Sequence, residues 1–239
     1  MISQTGVLAV VIGRAGSKGL PGKNSLKLAG KPMICHTIEH AKAAQCVTRI
    51  IVSTDGQDIA SAARGMDVQV IDRPPELATD TATVSDVVNH ALKQSNSDEA
   101  VIVVLYANVP IRPADLIDRA VDLLVTTGAD SVQSYSDVSK HHPFWMCRID
   151  NENRISAYVE NKIDRRQDLP ELFLPNGGVI AVTRASLLAA QSGGGPHSFL
   201  GDDRRGIQTP PGSVVDIDDA VDLALAQAIL MSEPAGAIT

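Results

Sequence analysis

An unbroken apolar run followed directly by a glycine- and lysine-rich loop is the feature that most constrains how this chain folds. The run is Val7–Ile12, and the loop covers residues 13–24. A continuous apolar run of this length is typical of a strand buried on both faces, as in a parallel sheet. Glycines let backbone N–H groups converge on an anion, and nearby cations neutralise its charge. The sequence therefore predicts an α/β fold whose first strand leads into a polyphosphate site.

The charge of the loop separates this prediction from the plainer alternative, a solvated basic loop. The loop holds three cations, although the whole chain of 239 residues carries a formal net charge of −7. This concentration of cations favours a binding role. The loop is not a P-loop, because that motif requires glycine in place of Ser17 and serine or threonine in place of Asn24. It also lacks the Gly-x-Gly-x-x-Gly fingerprint of dinucleotide-binding folds.

Strand and helix patterns alternate along the first two-thirds of the chain, which predicts a mainly parallel sheet. The loops that follow parallel strands lie along one edge of the sheet. Residues 13–24, 72–83 and 106–112 are therefore expected to line one crevice. After about residue 138 the alternation stops. Residues 144–149 and 154–159 flank a turn-rich tetrapeptide, and this arrangement predicts a β-hairpin.

Individual residues indicate where helices begin and end. Thr83, with the acidic Asp86 three residues later, is typical of a helix N-terminus. Pro113 and Gly128 are expected to begin and end a further helix. The C-terminal third is expected to contain two strands and a helix, at residues 178–183, 213–216 and 218–231.

Composition excludes several classes of protein. The acidic balance and an aromatic content of 3% argue against nucleic acid as a partner. No apolar stretch approaches the length of about 20 residues that a membrane span needs, and the N-terminus lacks the pattern of a signal peptide. The three cysteines have no CxxC spacing, which argues against a disulfide framework and a zinc site. The chain is expected to act in a reducing cytoplasm, without nucleic acid or membrane as partner.

The loop also carries a motif of a known family. Residues 14–24 match Arg-x-x-Ser-Lys-Gly-[Leu/Ile]-Pro-x-Lys-Asn, the usual form in the CMP-sialic acid synthetases (acylneuraminate cytidylyltransferases), although Ile12 and Gly13 replace Pro-Ala. Other segments resemble the family in the same order over nearly the whole chain. They are residues 50–55, 73–78, 80–82, 110–112, 141–143, 166–170, 175–178 and 216–218.

This resemblance implies a Rossmann-like nucleotidyltransferase fold with a mainly parallel central sheet. It implies a single domain over residues 1–239, in which residues 139–175 form an inserted β-hairpin element for dimerisation and sugar binding, and hence a homodimer. The implied reaction joins CTP to the anomeric hydroxyl of a 2-keto sugar acid and releases pyrophosphate, with Mg²⁺ as cofactor. Two alternatives stay open: a related nucleotidyltransferase with another nucleotide or acceptor, and a non-catalytic nucleotide-binding module.

The resemblance also assigns residues to the nucleotide. They are Arg14, Gly16, Ser17, Lys18, Lys23, Asn24, Arg73, Asp80 and Ala82. The three cations of the loop, Arg14, Lys18 and Lys23, would hold the triphosphate and stabilise the leaving pyrophosphate, and they are also expected to be catalytic. Arg73 and the backbone near Ala82 would read the cytosine. Without the resemblance, Arg73 is equally a surface residue before two prolines.

Asp216 and Asp218 are the candidate metal ligands and complete the expected catalytic set. Two carboxylates two residues apart on an extended segment point the same way. Mg²⁺ takes a few carboxylates and fills its shell with water and phosphate oxygens, and the family places such a pair on its metal. The alternative is that Asp218 only caps the last helix, with Asp219 in its first turn. Both roles can coexist.

The residues expected to bind the sugar acid are Tyr106, Asn108, Arg166, Gln167 and Asn176. Arg166 would pair with the carboxylate of the acid, because arginine binds carboxylates bidentately. Alternatively, Arg166 is solvated between Asp164 and Asp168. Tyr106 and Asn108 replace a glutamine and a threonine of the family, and Leu174 replaces an arginine. The acid therefore stays open among N-acetylneuraminate and the legionaminic, pseudaminic and 3-deoxy-octulosonic acids.

Two further groups near the hairpin have structural readings. His141 and His142 are adjacent, so on a strand they would face opposite ways and are expected to be structural or interface residues rather than a metal pair. Four apolar residues would fit either a buried interface between copies or a local core. They are Phe144, Trp145, Tyr158 and Phe173.

Overall fold

A seven-stranded sheet forms the centre of the molecule. The computed structural model describes residues 6–16, 19–20, 22–189 and 195–232. The strands are β1 (Val7–Ile12), β2 (Lys27–Leu28), β3 (Lys31–Pro32), β4 (Arg49–Thr54), β5 (Gln69–Asp72), β6 (Val101–Tyr106), β7 (Ser131–Asp137), β8 (Cys147–Ile149), β9 (Ile155–Ala157), β10 (Phe173–Thr183) and β11 (Arg204–Gln208). The helices are α1 (Met33–Ala43), α2 (Gln57–Arg64), α3 (Val84–Gln94), α4 (Leu116–Thr127), α5 (Arg184–Ala189) and α6 (Ala220–Ser232).

The strand order of the central sheet is β11-β7-β10-β6-β1-β4-β5. β1 runs parallel to β4 and to β6, β4 runs parallel to β5, and β11 runs parallel to β7. Only β10 is antiparallel to its neighbours in this sheet, β6 and β7. The sheet is thus mixed and mostly parallel, which confirms the predicted α/β class with a Rossmann-like arrangement.

The core lies on both faces of the sheet, and β1 shows why its sequence has no polar residue. Ala9 and Val11 pack in one cluster with Ile38 of α1 and Val121 of α4. The alternate residues of β1 pack in a second cluster, which includes Val88 of α3. Because successive side chains of a strand point to opposite faces, a strand between two helical layers must be apolar at every position.

The helix ends that the sequence predicted differ little from those in the structure. Thr83 and Asp86 form a full capping box at the start of α3, as predicted. Gly128 ends α4 in a left-handed conformation with φ of 69°, which glycine adopts without steric cost. The helix α4 begins at Leu116 rather than at Pro113, because residues 113–116 form a turn in which the Leu116 N–H donates to the Pro113 carbonyl.

Two predictions for the C-terminal third need correction. Residues 213–216 do not form a strand of the sheet; Val215 makes a single antiparallel bridge to Ile111 instead. The strand β11 was not predicted, because its sequence contains two arginines and a glycine and only one buried residue, Ile207. At the edge of a sheet, backbone pairing with one neighbour supports such a polar strand.

The predicted hairpin is present as a separate two-stranded sheet of β8 and β9. Asp150 closes the turn, since its carboxylate accepts from the backbone N–H groups of Glu152 and Arg154. All six strand residues of this hairpin are exposed. The helices of the described ranges include none with both the length and the apolar character needed to cross a membrane.

Candidate functional site

The loops that follow β1, β5 and β6 meet at one edge of the sheet, as the sequence predicted. Together they line a cleft of about 310 Å³. The loop after β1 contributes Arg14, Lys23 and Asn24, the loop after β5 contributes Arg73, and Asn108 follows β6. Parallel strands bring these distant segments together because their carboxyl ends share an edge.

Glycines let the loop after β1 lie close to its neighbours. A Cβ added at Gly13 would come within 2.7 Å of the Ala107 side chain, and a Cβ at Gly19 would come within 2.5 Å of the Asp218 carbonyl oxygen. The Ala15 N–H donates to the Asp55 carboxylate at 2.9 Å, which anchors the loop. The loop therefore packs directly against the segment that carries the candidate metal ligands.

Polar groups of the loop face the cleft. The Asn24 amide nitrogen donates to the Arg14 carbonyl at 2.9 Å, while its buried Oδ1 has no hydrogen-bond partner among the described residues. Arg14 reaches across to Asp80 with 2.6 Å between Nη2 and Oδ1. Gly16 also lines the cleft. The predicted residues Ser17 and Lys18 lie outside the described residues.

Arg73 is a buried arginine at the wall of the cleft. Its Nη2 donates to the Ser53 carbonyl at 2.6 Å, and its Nε donates to the Ser53 hydroxyl at 3.3 Å. Burial lowers its pKa to about 10, partly offset by Asp55, so it stays cationic at neutral pH. The interpretation of Arg73 as a mere surface residue is wrong, because the side chain is held rigidly at the cleft.

Asp216 and Asp218 are exposed, and they alternate with the buried Val215 and Ile217. This alternation is what an extended segment with both carboxylates on one side would show. The residues between and before them, Ile217 and Val215, are buried against α6 in a separate apolar cluster. The cap of α6 is Asp219, whose carboxylate accepts from two backbone N–H groups of the first turn. The alternative in which Asp218 merely caps this helix is therefore wrong.

Lys23 is the cation that neutralises this segment. Its Nζ lies 2.7 Å from Asp218 Oδ1 and 3.0 Å from the Ile217 carbonyl oxygen. Partial burial and, to a smaller extent, the neighbouring charge of Asp218 raise the pKa of the Asp216 carboxyl to about 6. Lys23 and Arg112 act in the opposite direction. The two carboxylates are thus close enough to interact.

The donor set of this segment fits a magnesium ion held together with a phosphate. No group of three or more His, Cys, Asp or Glu side chains gathers as a metal cage within the described ranges. Two carboxylates are nevertheless sufficient for Mg²⁺, because this ion keeps several waters and takes phosphate oxygens as further ligands. Asp216 and Asp218 suit a metal that arrives with a nucleotide.

The loop after β6 is fixed by side chains below it. The Thr37 hydroxyl of α1 donates to the carbonyls of Tyr106 and Val109 at 3.2 and 3.1 Å. Arg112 is buried and donates to the Val109 carbonyl at 2.7 Å, and His40 contacts the Pro110 carbonyl at 3.2 Å. These bonds satisfy carbonyls that would otherwise be costly to bury.

A second cavity of about 530 Å³ adjoins the cleft. Tyr106, Asp80 and Ala82 line both spaces, so the two form one continuous site. The ring of Tyr106 lies at the boundary, where burial raises the pKa of its hydroxyl. Four polar residues of the second cavity were not predicted from the sequence: Gln133, Tyr135, His197 and Arg204. They come from β7, β11 and a loop, which only the tertiary fold brings together.

Asn176 lies between Pro175 and Gly177, which line this cavity, but its amide is engaged by protein groups. Its Oδ1 accepts from Ser134 Oγ at 2.6 Å and from the Gly178 N–H at 3.1 Å. Its Nδ2 donates to Ser136 Oγ and Thr209 Oγ1 at 2.7 and 2.8 Å. These four bonds use the hydrogen-bonding capacity of the amide. They hold the irregular part of β10, and a sugar contact by Asn176 stays a prediction.

Arg166 and Gln167 lie apart from both spaces. Arg166 lines a third cavity of about 200 Å³ with His142 and Glu171, and its Nη2 donates to the Ser139 hydroxyl at 2.5 Å. Gln167 follows in an exposed turn. Their contact with a sugar acid therefore also stays a prediction.

His142 is structural, in agreement with the sequence interpretation. It is buried, and its Nδ1 accepts from the Phe144 N–H at 3.1 Å. Because Nδ1 accepts, the proton is on Nε2, which donates to the Pro170 carbonyl at 3.2 Å. His141 is exposed, so the two rings do not form a metal pair.

The hairpin region exposes apolar side chains. Ile149 and Ile155 are 65% and 71% exposed. Trp145 and Tyr158 are also exposed, whereas Phe144 and Phe173 are half-buried. The four aromatic residues therefore do not form a shared local core. Such a concentration of exposed apolar groups is typical of an interaction surface.

Comparisons with known proteins give a family and relatives that are all cytidylyltransferases or CMP-sugar synthases. The family described as Cytidylyltransferase matches residues 8–156. The N-acylneuraminate cytidylyltransferase of Streptococcus agalactiae is 35% identical over 187 residues, which is 77% of this chain and 45% of the relative. The CMP-N,N'-diacetyllegionaminic acid synthase of Legionella pneumophila is 32% identical over 231 residues, which is 94% of this chain and 96% of the relative. The chain spans about half the length of the streptococcal relative.

Solved structures share the fold. A CMP:2-keto-3-deoxy-manno-octonic acid synthetase complexed with CTP superposes with a TM-score of 0.73 at 17% identity, covering 96% of this chain and 100% of the other. A 4-diphosphocytidyl-2C-methyl-D-erythritol synthase from Anaerococcus prevotii gives a TM-score of 0.64 at 12% identity, covering 96% of this chain and 98% of the other. At these identities the likeness concerns the fold alone.

Proposed function

The chain belongs to the cytidylyltransferase family, and from this premise we propose that it joins CTP to the anomeric hydroxyl of a 2-keto sugar acid. The observation that carries the proposal is the continuous pair of cavities at the sheet edge. One is lined by cations and by two residues, Lys23 and Asn108, that contact the carboxylates of Asp218 and Asp216. The other is larger and mixed in polarity. The first cavity suits a nucleoside triphosphate, and the second suits a sugar acid beside it.

In the proposed reaction the anomeric oxygen of the acid attacks the α-phosphorus of CTP. A new C–O–P bond forms, the bond from the α-phosphorus to the bridging oxygen breaks, and pyrophosphate leaves with the electron pair. The hydroxyl proton passes to a base or water. Such transfers depend on positioning and on neutralising charge more than on covalent catalysis.

The cleft supplies the nucleotide contacts. Arg14 and Lys23 would bind the phosphates, together with the predicted Ser17 and Lys18. The free acceptor Oδ1 of Asn24 suits a ribose hydroxyl, because it is buried and has no partner among the described residues. Arg73, held by its two bonds to Ser53, would donate to the ring carbonyl of cytosine.

Asp216 and Asp218 would hold the Mg²⁺ that accompanies the triphosphate. When bound, the ion polarises the α-phosphate and lowers the charge that the attacking oxygen meets. The protein's contribution is to hold the two carboxylates in place, through the bonds of Asn108 to Asp216 and of Lys23 to Asp218. Lys23 would balance Asp218 and contact the nucleotide from the same position.

The second cavity would take the acceptor, and two arginines are candidates for its carboxylate. Arg204 lines this cavity. Arg166, which the family resemblance points to, lines the third cavity of its own chain, so it would have to serve the site of a neighbouring copy. A diacylated acid fits the apolar part of the cavity wall, which includes Ile180 and Phe199, and the Legionella relative is named for such an acid.

We further propose that the chain is one domain over residues 1–239 and acts as a cytoplasmic homodimer. Residues 139–175, called the arm below, would provide the dimer contact. The exposed apolar side chains of the arm support this assembly. The free thiols of all three cysteines fit a reducing compartment.

Pyrophosphate release tests the proposed function. The purified chain would be incubated with Mg²⁺ and CTP, UTP, GTP or ATP, and with N-acetylneuraminate, diacetyllegionaminate, pseudaminate or 3-deoxy-octulosonate. The expected result is release that requires both CTP and one class of acid. Release without any acid, or with another nucleotide alone, would contradict the proposal. Binding of CTP without turnover in any combination would favour a nucleotide-binding module.

A further inference from the structure

Asn108 connects the loop after β6 with the segment that carries Asp216. Its backbone carbonyl accepts from the Ile217 N–H at 2.9 Å. Its side-chain Nδ2 donates to Asp216 Oδ1 and to the Ile217 carbonyl, the latter at 3.2 Å. Three hydrogen bonds therefore join this one residue to two consecutive residues of the segment.

These bonds fix how the Asp216 carboxylate presents its oxygens. Oδ1 is engaged by Asn108. Oδ2 lies on the side of Gly177, where a Cβ would come within 3.3 Å of it. Gly177 has a φ of 73°, a conformation that favours glycine, so this residue places no side chain against Oδ2. Asn108 therefore restrains one oxygen of the carboxylate, and the other faces a glycine.

The restraint is effective because Asn108 itself stands on a rigid loop. Thr37 holds the carbonyls on both sides of Asn108, those of Tyr106 and Val109, and buried Arg112 also donates to Val109. A flexible loop would let the amide follow the carboxylate. Here the loop holds Asn108 in place independently of Asp216, so the Asn108 amide can orient the Asp216 carboxylate.

We infer that Asn108 is a positioning residue that orients Asp216 for metal binding, rather than a ligand of the sugar acid. The inference rests on the proposed function, since it assumes that Asp216 holds a divalent cation. Both Nδ2 protons are used within the protein, which leaves only Oδ1 of the amide for other contacts. Groups that orient a metal ligand typically change metal affinity by about 10- to 100-fold when removed.

Metal affinity in the absence of turnover tests this inference. The wild-type chain, Asn108→Ala and Asn108→Thr would be loaded with a CTP analogue whose α,β-bridge is a methylene group, and Mn²⁺ binding would be followed by electron paramagnetic resonance. We expect Asn108→Ala to weaken Mn²⁺ binding by about 10- to 100-fold. Asn108→Thr keeps one hydroxyl donor, so its Mn²⁺ affinity is expected to fall less than that of Asn108→Ala. Asn96→Gly is the matched control, because Asn96 lies in the exposed turn after α3 with a φ of 48° and outside both cavities, and it should bind as the wild type does.

Steady-state kinetics separates the two roles. A positioning role predicts an unchanged KM for the acid in Asn108→Ala at saturating Mg²⁺, and a higher Mg²⁺ requirement when Mg²⁺ is titrated. An unchanged Mn²⁺ affinity in both variants would overturn the inference, and a raised KM for the acid would then identify Asn108 as a sugar ligand. If the wild type binds the analogue and Mn²⁺ but releases no pyrophosphate with any acid, the proposed function fails while the Mn²⁺ comparison still decides the role of Asn108.

Discussion

The cleft at the sheet edge, called the crevice below, and the arm differ in whether their side chains find partners within the chain. In the crevice, charged groups find partners within the same chain, as Lys23 does with Asp218 and Arg14 with Asp80. In the arm, the backbone is well bonded, but the apolar faces of β8 and β9 are open to solvent. A concentration of exposed apolar side chains is typical of a surface that a partner covers.

The nucleotide half and the acceptor half of the proposed site therefore differ in whether a second copy of the chain is needed to complete them. The nucleotide half is assembled by the parallel sheet alone, since its residues follow neighbouring strands. The arm gains its stability only partly from its own contacts, such as Arg148 stacked 4.7 Å from the Tyr158 ring centre. A single chain should therefore bind CTP, whereas assembly should depend on the arm.

Removing a metal carboxylate should have the largest effect. Asp216→Asn keeps the shape of the side chain but removes its charge, so we expect pyrophosphate release to fall by about 10²- to 10³-fold. Binding of CTP without metal should be retained, because Arg14, Lys23 and Arg73 are untouched. Calorimetry with CTP and a rate assay would check both. A variant with full activity would show that Asp216 does not hold the metal.

A charge on the arm should break the dimer while leaving the crevice intact. Ile155→Asp is expected to raise the dimer dissociation constant by about 100-fold, the size of an interface hot spot. Val221→Asp on α6 is the matched control, since Val221 is 75% exposed but lies outside the arm. Sedimentation velocity would measure both. Dissociation by Val221→Asp and not by Ile155→Asp would move the interface to α6.

The two candidate arginines decide whether the acceptor half depends on the arm. If Arg204 binds the carboxylate, Arg204→Met should raise the KM for the acid by about 10- to 100-fold, the worth of a charged hydrogen bond. Arg205→Met is the matched control, because Arg205 lies next to Arg204 on the same strand but pairs with Asp203 just before it. An effect confined to Arg166→Met would instead show that the arm completes the acceptor site.

The smallest effect concerns the support of the loop after β6. Burial lowers the pKa of His40 to about 4, below its ordinary value of about 6.5. The unfolded chain therefore takes up a proton as the pH falls below 6.5 and the folded chain does not. His40 should therefore contribute a loss of about 1 kcal/mol of stability between pH 7.5 and pH 5.5. The lowered pKa of His36 acts in the same direction and the raised pKa of Asp216 in the opposite one, so the contribution of His40 is the difference between the wild type and His40→Asn, with His141→Asn in the arm as the matched control. Urea unfolding at both pH values measures it.

The sequence predicted the crevice because its residues are local to strand ends. Two of its parts show directly in the sequence as local patterns. One is the apolar run of β1 with the loop after it, and the other is the alternation of apolar and acidic residues over positions 215–218. The second cavity was missed because Gln133 and Arg204 are about 70 residues apart and share a wall only through the pairing of β7 with β11. No local pattern marks a polar edge strand.

The role of Asn108 shows a second limit of sequence reasoning. Its position after β6 placed it correctly beside the cleft, but the direction of its amide depends on the bridge between Ile111 and Val215. That bridge joins segments separated by about a hundred residues. Side-chain orientation of this kind follows from packing, not from residue type.

Identification of the nucleotide product tests whether the chain transfers a cytidylyl group to a sugar acid. The chain would be incubated with CTP, Mg²⁺ and diacetyllegionaminate, and the nucleotide products would be separated by anion exchange and analysed by mass spectrometry. We expect a product with the mass of the acid joined to CMP, formed in equal amount with pyrophosphate. CMP alone, or a product that retains the β-phosphate, would contradict cytidylyl transfer to a sugar acid.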